Sequence, residues 1–252
     1  MAGLLEHVSD DRKWLLVCAA PAEGRAVGRA FHHRVYAAED AAPVRWAAAE
    51  LSSRFELLVT GVGKANAAGG VGRVLDPARH SGVICLGVCG SLPRSGLELL
   101  QVVLADRSVF ADEGVRTPTK FLSMAQCGFP PAQGAEFPGI SKERMGVEPS
   151  ERLRAALAGA VDRVGTVATV STCSGRNRLA IKVVEQTGAV VEAMEGAAAG
   201  FTALRIGAES GARVEFAEIR VVSNSTGNRA KQRWDLPGAL ERLTEVARAL
   251  HA

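Results

Sequence analysis

Aromatic side chains are sparse in this sequence: eight phenylalanines, three tryptophans and one tyrosine stand among 252 residues, alongside 27 glycines. That balance suits tight turns and close-packed helices of small residues. The cysteines (Cys18, Cys85, Cys89, Cys127, Cys173) are odd in number and form no CxxC pair, which argues against a disulfide framework or a thiolate zinc site. Most lie in apolar runs and read as reduced core thiols. The only histidines are His7, His32, His33, His80 and His251, and none follows a strand where a ligand would bind. Metal chemistry and a serine triad therefore lose their usual ligand and base.

Long hydrophobic runs are also missing, since no stretch approaches the ~20 residues of a membrane span. The N-terminus places Glu6, Asp10 and Asp11 before the short run WLLVCAA, so a secretory signal is not expected and a cytoplasmic location is. Charge of one sign is not concentrated: 30 basic and 27 acidic residues give a formal +3, with no basic stripe to suggest a nucleic acid partner. The densest basic cluster, Arg229, Lys231 and Arg233, is either a solvated loop or a local anion site. A length of 252 residues fits one domain, residues 1–252.

What the sequence does contain is alternation. The apolar runs WLLVCAA (14–20), FELLVTG (55–61), GVICLG (82–87), QVVLA (101–105), VGTVATVST (164–172), AVVEAM (189–194) and VEFAEIRVVSN (214–224) read as buried strands. Helices are expected at 22–33, 64–76, 150–161, 177–187, 195–207 and 238–251, the fourth-last of these capped by Ser150 and the last begun by Pro237. Residues 108–148 hold four of the ten prolines and read as extended loops. The pattern is α/β, with ligands expected beyond the carboxyl ends of the strands.

The polar residues at those ends are few: Glu23, GVGKAN (61–66), GVCGS (87–91), STCSGRN (171–177), Met194 with Glu195, and SNSTGNR (223–229). GVGKAN has Asn66 where a dinucleotide fingerprint needs its third glycine, and its spacing fails a Walker loop, so a tight turn accounts for it better. Two carboxylates remain. Each taken alone reads as a first-turn helix glutamate; together they can act as a base and a substrate clamp. Glu195 lies among small apolar residues, where a charge needs a polar partner, and a substrate could supply one.

AMEGAAAG behind an apolar strand resembles the Met-Glu motif of the purine nucleoside phosphorylase and nucleosidase superfamily, and IRVVSNSTGNR resembles its later strand-end motif. AAPAE, GVGKANAA and GVCGS precede them in the same order, so the resemblance runs from Trp14 to the closing helix. SNSTGNRAKQRWDLPGAL and FADEGV look most like the futalosine-cleaving nucleosidases of that superfamily. The resemblance implies a central mixed sheet flanked by helices, nucleoside phosphorylase-like in fold. It implies hydrolysis of the N-glycosidic bond of futalosine, or its 6-amino analogue, on the route to menaquinone. It implies no metal or organic cofactor and a homo-oligomer, dimer or higher.

Residue by residue, the resemblance makes Glu23 the general base for water, Glu195 the acceptor of ribose hydroxyls and Met194 the floor beneath the sugar. Val88, Cys89 and Gly90 would line the purine through their loop backbone. Asn224 replaces an aspartate usual in adenosine-type nucleosidases; an amide cannot protonate a leaving purine but can hydrogen-bond N7 and O6, which favours hypoxanthine. From 171 to 177 no aromatic is present to stack on the base; Cys173, Ser174 or Arg176 could fill that role, or the segment is a plain turn. Arg229 and Arg176 are candidates for the benzoate carboxylate of futalosine.

Other readings stay open. Phosphorolysis is disfavoured because AAPAE puts an acid where phosphorylases carry a phosphate loop. Aminofutalosine, methylthioadenosine or S-adenosylhomocysteine could be the substrate. A noncatalytic purine-nucleoside-binding protein would not need Glu23. A nicotinamide enzyme would rest on the defective glycine motif alone.

Overall fold

The structure is a computed structural model that describes residues 4–5, 11–33, 45–132, 138–141 and 145–251. Along the chain run β1 (Lys13–Cys18), α1 (Pro21–Ala30), β2 (Ala49–Glu50), β3 (Phe55–Val59), α2 (Lys64–Val74), β4 (His80–Ser91) and β5 (Val102–Phe110). Four short strands follow: β6 (Gly114–Arg116), β7 (Phe121–Ser123), β8 (Ile140–Ser141) and β9 (Gly146–Val147). The remainder is α3 (Glu151–Leu157), β10 (Arg163–Thr169), α4 (Asn177–Thr187), β11 (Val191–Ala193), α5 (Gly196–Ser210), β12 (Glu215–Ser225) and α6 (Leu236–His251).

Each of the seven apolar runs overlaps one of the longer strands or β11, and a helix overlaps each expected helical span. Ser150 caps α3, its hydroxyl accepting from the Leu153 amide at 3.2 Å. The last helix starts one residue before Pro237 because Asp235 caps it, accepting from the Gly238 amide at 2.9 Å. The 108–148 region is more ordered than its prolines suggest. β5 continues to Phe110, and β6 and β7 form a hairpin, while 133–137 and 142–144 of that region lie outside the described residues. Core thiols are correct for Cys18, Cys85 and Cys89, but Cys127 is half-buried and Cys173 exposed.

The main sheet is mixed. β3, β1, β4 and β12 run parallel, as do β5, β10 and β11, and the two groups meet antiparallel where β12 pairs β5 and β11 pairs β4. These pairings close β4, β12, β5, β10 and β11 into a ring. Cys89, Val103, Ala105, Val167, Val191 and Val222, drawn from all five strands, pack as one cluster. On one side α1 and α6 bury Ala26, Val27, Leu243 and Val246 against Leu16, Leu57 and Ile219. On another, α2 and α5 press small residues such as Ala67, Ala199 and Ala203 against Leu15, Leu58 and Val83. α6 grips α1 directly, the Thr244 hydroxyl donating to the Ala26 carbonyl at 2.9 Å.

The amino ends of the strands carry their own polar cluster. Glu56 of β3 is buried and meets Arg79 at 2.6 Å, His80 Nε2 at 3.3 Å and Lys13 at 3.4 Å. Burial pushes the Glu56 carboxyl up, but the hydrogen bond from His80 and the Arg79 and Lys13 cations outweigh it and hold it below the usual value. A depressed carboxyl contributes stability that is present above its unfolded pKa and lost as pH falls through its folded one. The stability advantage of wild type over Glu56→Gln, measured by urea unfolding, should therefore be full at pH 7 and shrink on acidification below about pH 5.

Candidate active site

At the carboxyl ends of the strands three distant segments meet. The first turn of α1 follows β1 directly, and its third residue is Glu23, which is buried. Its Oε2 accepts from the amides of Ala19 at 3.0 Å and Ala20 at 2.9 Å, and its Oε1 accepts from the amide of Val88 on β4 at 2.8 Å. Ala20 cannot cap the helix with its own side chain, so Glu23 reaches back to do so, as a first-turn glutamate would. The Val88 bond adds what that reading lacks: it ties the carboxylate to the neighbouring strand end.

Glu195 stands between β11 and α5 and is buried as well. Its Oε1 accepts from the Gly63 amide at 3.0 Å; its Oε2 accepts from Arg220 Nη2 and the Met194 amide, each at 3.3 Å. Gly63 has φ +98°, a conformation open to glycine and strained for other residues, so the GVGKAN turn exists to aim an amide at this acid. The expectation that a substrate would supply the polar partners of Glu195 is corrected here. The protein itself provides three donors.

Arg220 joins the two acids. It lies on β12 at 1% exposure. Its Nε donates to Glu218 Oε1 at 2.7 Å, and its Nη2 reaches Glu195 and the Cys85 sulfur, both at 3.3 Å. Its Nη1 and Glu23 Oε1 each lie 2.5 Å from the place a Cβ would take at Gly87, so both press on the same glycine. Three carboxylates thus surround one guanidinium. Burial works against the Arg220 cation, but Cys85 and the carboxylates outweigh it and keep the group charged. Burial raises the Glu23 carboxyl; Arg220 pulls it back down and Glu195 adds to the rise, leaving it above the ordinary value.

The remaining candidates border this centre. GVCGS is not a loop: it is the end of β4, and Cys89 turns its side chain into the ring cluster, so only its backbone can face a ligand. Asn224 is set opposite Gly90 by a register shift after Val222. Its Nδ2 donates to the Ser225 carbonyl, and its Oδ1 accepts from the Ser223 hydroxyl, both at 3.0 Å. Met194 is half-buried beside Glu195. STCSGRN is a loop, as expected, and is held on three sides. Glu192 accepts from the Ser174 amide and hydroxyl at 2.6 Å, Asp112 of FADEGV accepts from the Ser171 amide at 2.6 Å, and the Gly175 carbonyl accepts from the Arg229 amide at 3.1 Å.

Arg176 is exposed at the start of α4. Arg229 stacks on Trp234, 4.6 Å from the ring centre, and donates to Gln232. Neither arginine touches the acid cluster in the contacts described. A cavity of about 750 Å³ lined by Leu204, Val214 and Phe216 lies at the opposite end of β12 and contains none of these groups. Arg220 and Glu218 are not among the sequence candidates, yet VEFAEIRVV carries a signal: two opposite charges two residues apart share one face of a mostly apolar strand.

The family model described as the phosphorylase superfamily matches residues 53–252, which include GVGKAN, Glu195 and Arg220. The chain belongs to the phosphorylase superfamily. Among relatives in this superfamily, a futalosine hydrolase of Acidothermus cellulolyticus is 34% identical over 241 residues, covering 95% of this chain and 91% of that one. A futalosine hydrolase of Streptomyces coelicolor is 32% identical over 203 residues, 78% of each. Among solved structures, a futalosine hydrolase mutant of Helicobacter pylori superposes with a TM-score of 0.70 at 16% identity, covering 95% of this chain and 98% of that chain. The 5'-methylthioadenosine/S-adenosylhomocysteine nucleosidase of S. pneumoniae, solved with a transition-state inhibitor, gives 0.67 at 18% identity, covering 94% and 97%. At those identities the structural likeness establishes a shared fold.

Because Glu23 and Arg220 both crowd Gly87, a methyl group there must displace them. Gly87→Ala should cost about 1–3 kcal/mol of stability by overpacking, while Gly159→Ala, with open space around it, should stay within about 0.5 kcal/mol. Denaturant midpoints of the two variants check this.

Proposed function

We propose that this protein is a nucleosidase that hydrolyses the N-glycosidic bond of futalosine and releases hypoxanthine, a step in the futalosine route to menaquinone. The observation that carries the reading is the surplus of negative charge: Glu23, Glu195 and Glu218 are buried around the single guanidinium of Arg220. Glycosidic cleavage leaves positive charge on the ribose as the base departs with the bonding electrons. A preformed anionic pocket stabilises that cation more than it stabilises neutral substrate, which is what lowers a barrier.

The acceptor capacity of the two acids fits the roles assigned. A carboxylate has about four acceptor sites; Glu23 and Glu195 each use three on the protein. The site left on Glu23 can take the proton of an attacking water, and the one left on Glu195 can take a ribose hydroxyl. Met194, next to Glu195, would floor the sugar, and the β4 backbone at Val88, Cys89 and Gly90 would face the purine beside Asn224. The Asn224 amide has one N–H left after its bond to Ser225, and that N–H can donate to N7 or O6 of a 6-oxopurine without protonating it. Arg229 and Arg176 are the candidates for the benzoate carboxylate.

Water rather than phosphate as nucleophile follows from the start of α1. The positive end of a helix ordinarily invites an anion, but here the amides of Ala19 and Ala20 are already taken by Glu23. A phosphate would lose those donors and meet a carboxylate instead. The reading includes assembly as a homo-oligomer, which the sequence resemblance implies, and a cytoplasmic setting, for which the acidic N-terminus before WLLVCAA speaks.

Incubation with a nucleoside panel should release hypoxanthine from futalosine at the same rate with and without phosphate; dependence on phosphate would replace this reading with phosphorolysis. Glu23→Gln should lower kcat by about 10²-fold or more while still binding nucleoside. Since the base form of Glu23 is required and burial lifts its carboxyl, kcat/KM should fall on acidification through an apparent pKa above the free glutamate value of about 4.3. Asn224→Asp should shift preference toward the 6-amino analogue, and a wild-type enzyme that prefers aminofutalosine would refute the role given to the amide.

A further inference from the structure

Glu218 has no part in the chemistry described so far, yet it is 0% exposed and sits behind the site's only described arginine contact between acids. Its two oxygens face different elements. Oε1 accepts from Arg220 Nε at 2.7 Å on its own strand, and Oε2 accepts a short hydrogen bond from the Ser108 hydroxyl on β5. Ser108 is itself fully buried, so the donor cannot be exchanged for solvent. A Cβ at Gly196, the residue after Glu195, would collide with the Glu218 carboxylate. Glu218 is therefore packed against both routes by which Glu195 is held: through Arg220 and through the first residue of α5.

We infer that Glu218, fixed by Ser108, is a positioning residue that sets the rotation of the Arg220 guanidinium so that one edge meets Glu195 and the other lies beside Glu23. The argument is geometric. A guanidinium offers five N–H donors in a rigid planar fork, so fixing Nε fixes where both Nη atoms point. With Nε held at 2.7 Å, Nη2 falls at 3.3 Å from Glu195 and Nη1 falls at the Gly87 wall shared with Glu23. Without that anchor the fork can turn about its stem and pair closely with one acid at the expense of the other. Glu195 would then lose a donor in the position that binds ribose, or Glu23 would lose the neighbouring cation that moderates its basicity. Ser108 matters because it leaves the carboxylate one orientation, as partners outside a reacting shell commonly do for the groups within it.

This inference rests on the proposed nucleosidase function for its kinetic consequence, but not for its structural one. Glu218→Gln keeps an oxygen acceptor and removes the charge; Ser108→Ala keeps every charge and removes only the anchor. Both are assayed on whichever panel nucleoside the wild type cleaves fastest, and the Arg220 Nε–H is followed in the free protein by ¹⁵N NMR hydrogen exchange. Glu218→Gln should lower kcat about 10- to 100-fold, with KM changed by less than roughly threefold, and Ser108→Ala should lie between it and wild type. In both variants the Nε–H should lose exchange protection while the thermal midpoint shows a folded protein.

Wild-type kcat in Ser108→Ala together with an unchanged Nε–H would overturn the inference, even if Glu218→Gln failed to fold. So would an unprotected Nε–H in the wild type. If that proton is protected but no panel nucleoside is cleaved, the nucleosidase reading fails instead, and the loss of Nε–H protection in Ser108→Ala still decides the positioning role.

Discussion

A single buried guanidinium among acids organises this end of the molecule. An ion moved out of water costs several kcal/mol even after the protein relaxes, and Arg220, Glu195, Glu218 and Glu23 are all withdrawn from solvent. The arrangement persists because each charge has more than one partner. Glu23 has three backbone amides, Glu195 has two amides and the arginine, and Glu218 has the arginine and a serine. Backbone amides are the useful donors here, since they are fixed by the strands and helices that carry them and do not need to reorganise as charge develops.

The fold supplies those amides at one place. Because β1, β3, β4 and β12 run parallel, their carboxyl ends lie on one side, and the turns leaving them all deliver polar groups to it. GVGKAN illustrates how a motif can mislead and still inform. It lacks the third glycine of a dinucleotide site, and its positive-φ Gly63 serves a side chain of the same protein rather than a pyrophosphate. Closure of five strands into a ring adds stiffness beneath the site, since β4 and β12 are each paired on both edges along part of their length.

The α/β alternation is legible because burial of strands leaves continuous apolar runs with amphipathic segments between them, and α4 occupies the expected 177–187. The short strands are not. β8 and β9 are two residues each, too brief to show a period, and β9 joins the sheet only through the distant β5. Glu23 and Glu195 are legible from their place after apolar runs and from family resemblance, whereas the only local sign of Arg220 is Glu218, two residues before it on the same strand. Its other partners are tertiary: Glu195 follows β11, Cys85 lies on β4 and Glu23 on α1. For Asn224 the chemistry of the amide is legible from residue type, but the extra residue at Ser223 that sets it opposite Gly90 is not.

The span of chain between Glu23 and Arg220 has an implication for biosynthesis. On a translating ribosome the first acid emerges long before the cation that moderates it, and β12 must insert between β4 and β5 to bring that cation in. Without β12 the sheet lacks the strand that joins β4 to β5, and Glu23 and Glu195 lack the guanidinium that lies between them. Insertion of that one strand therefore joins β4 to β5 and brings the guanidinium to the acids in the same event.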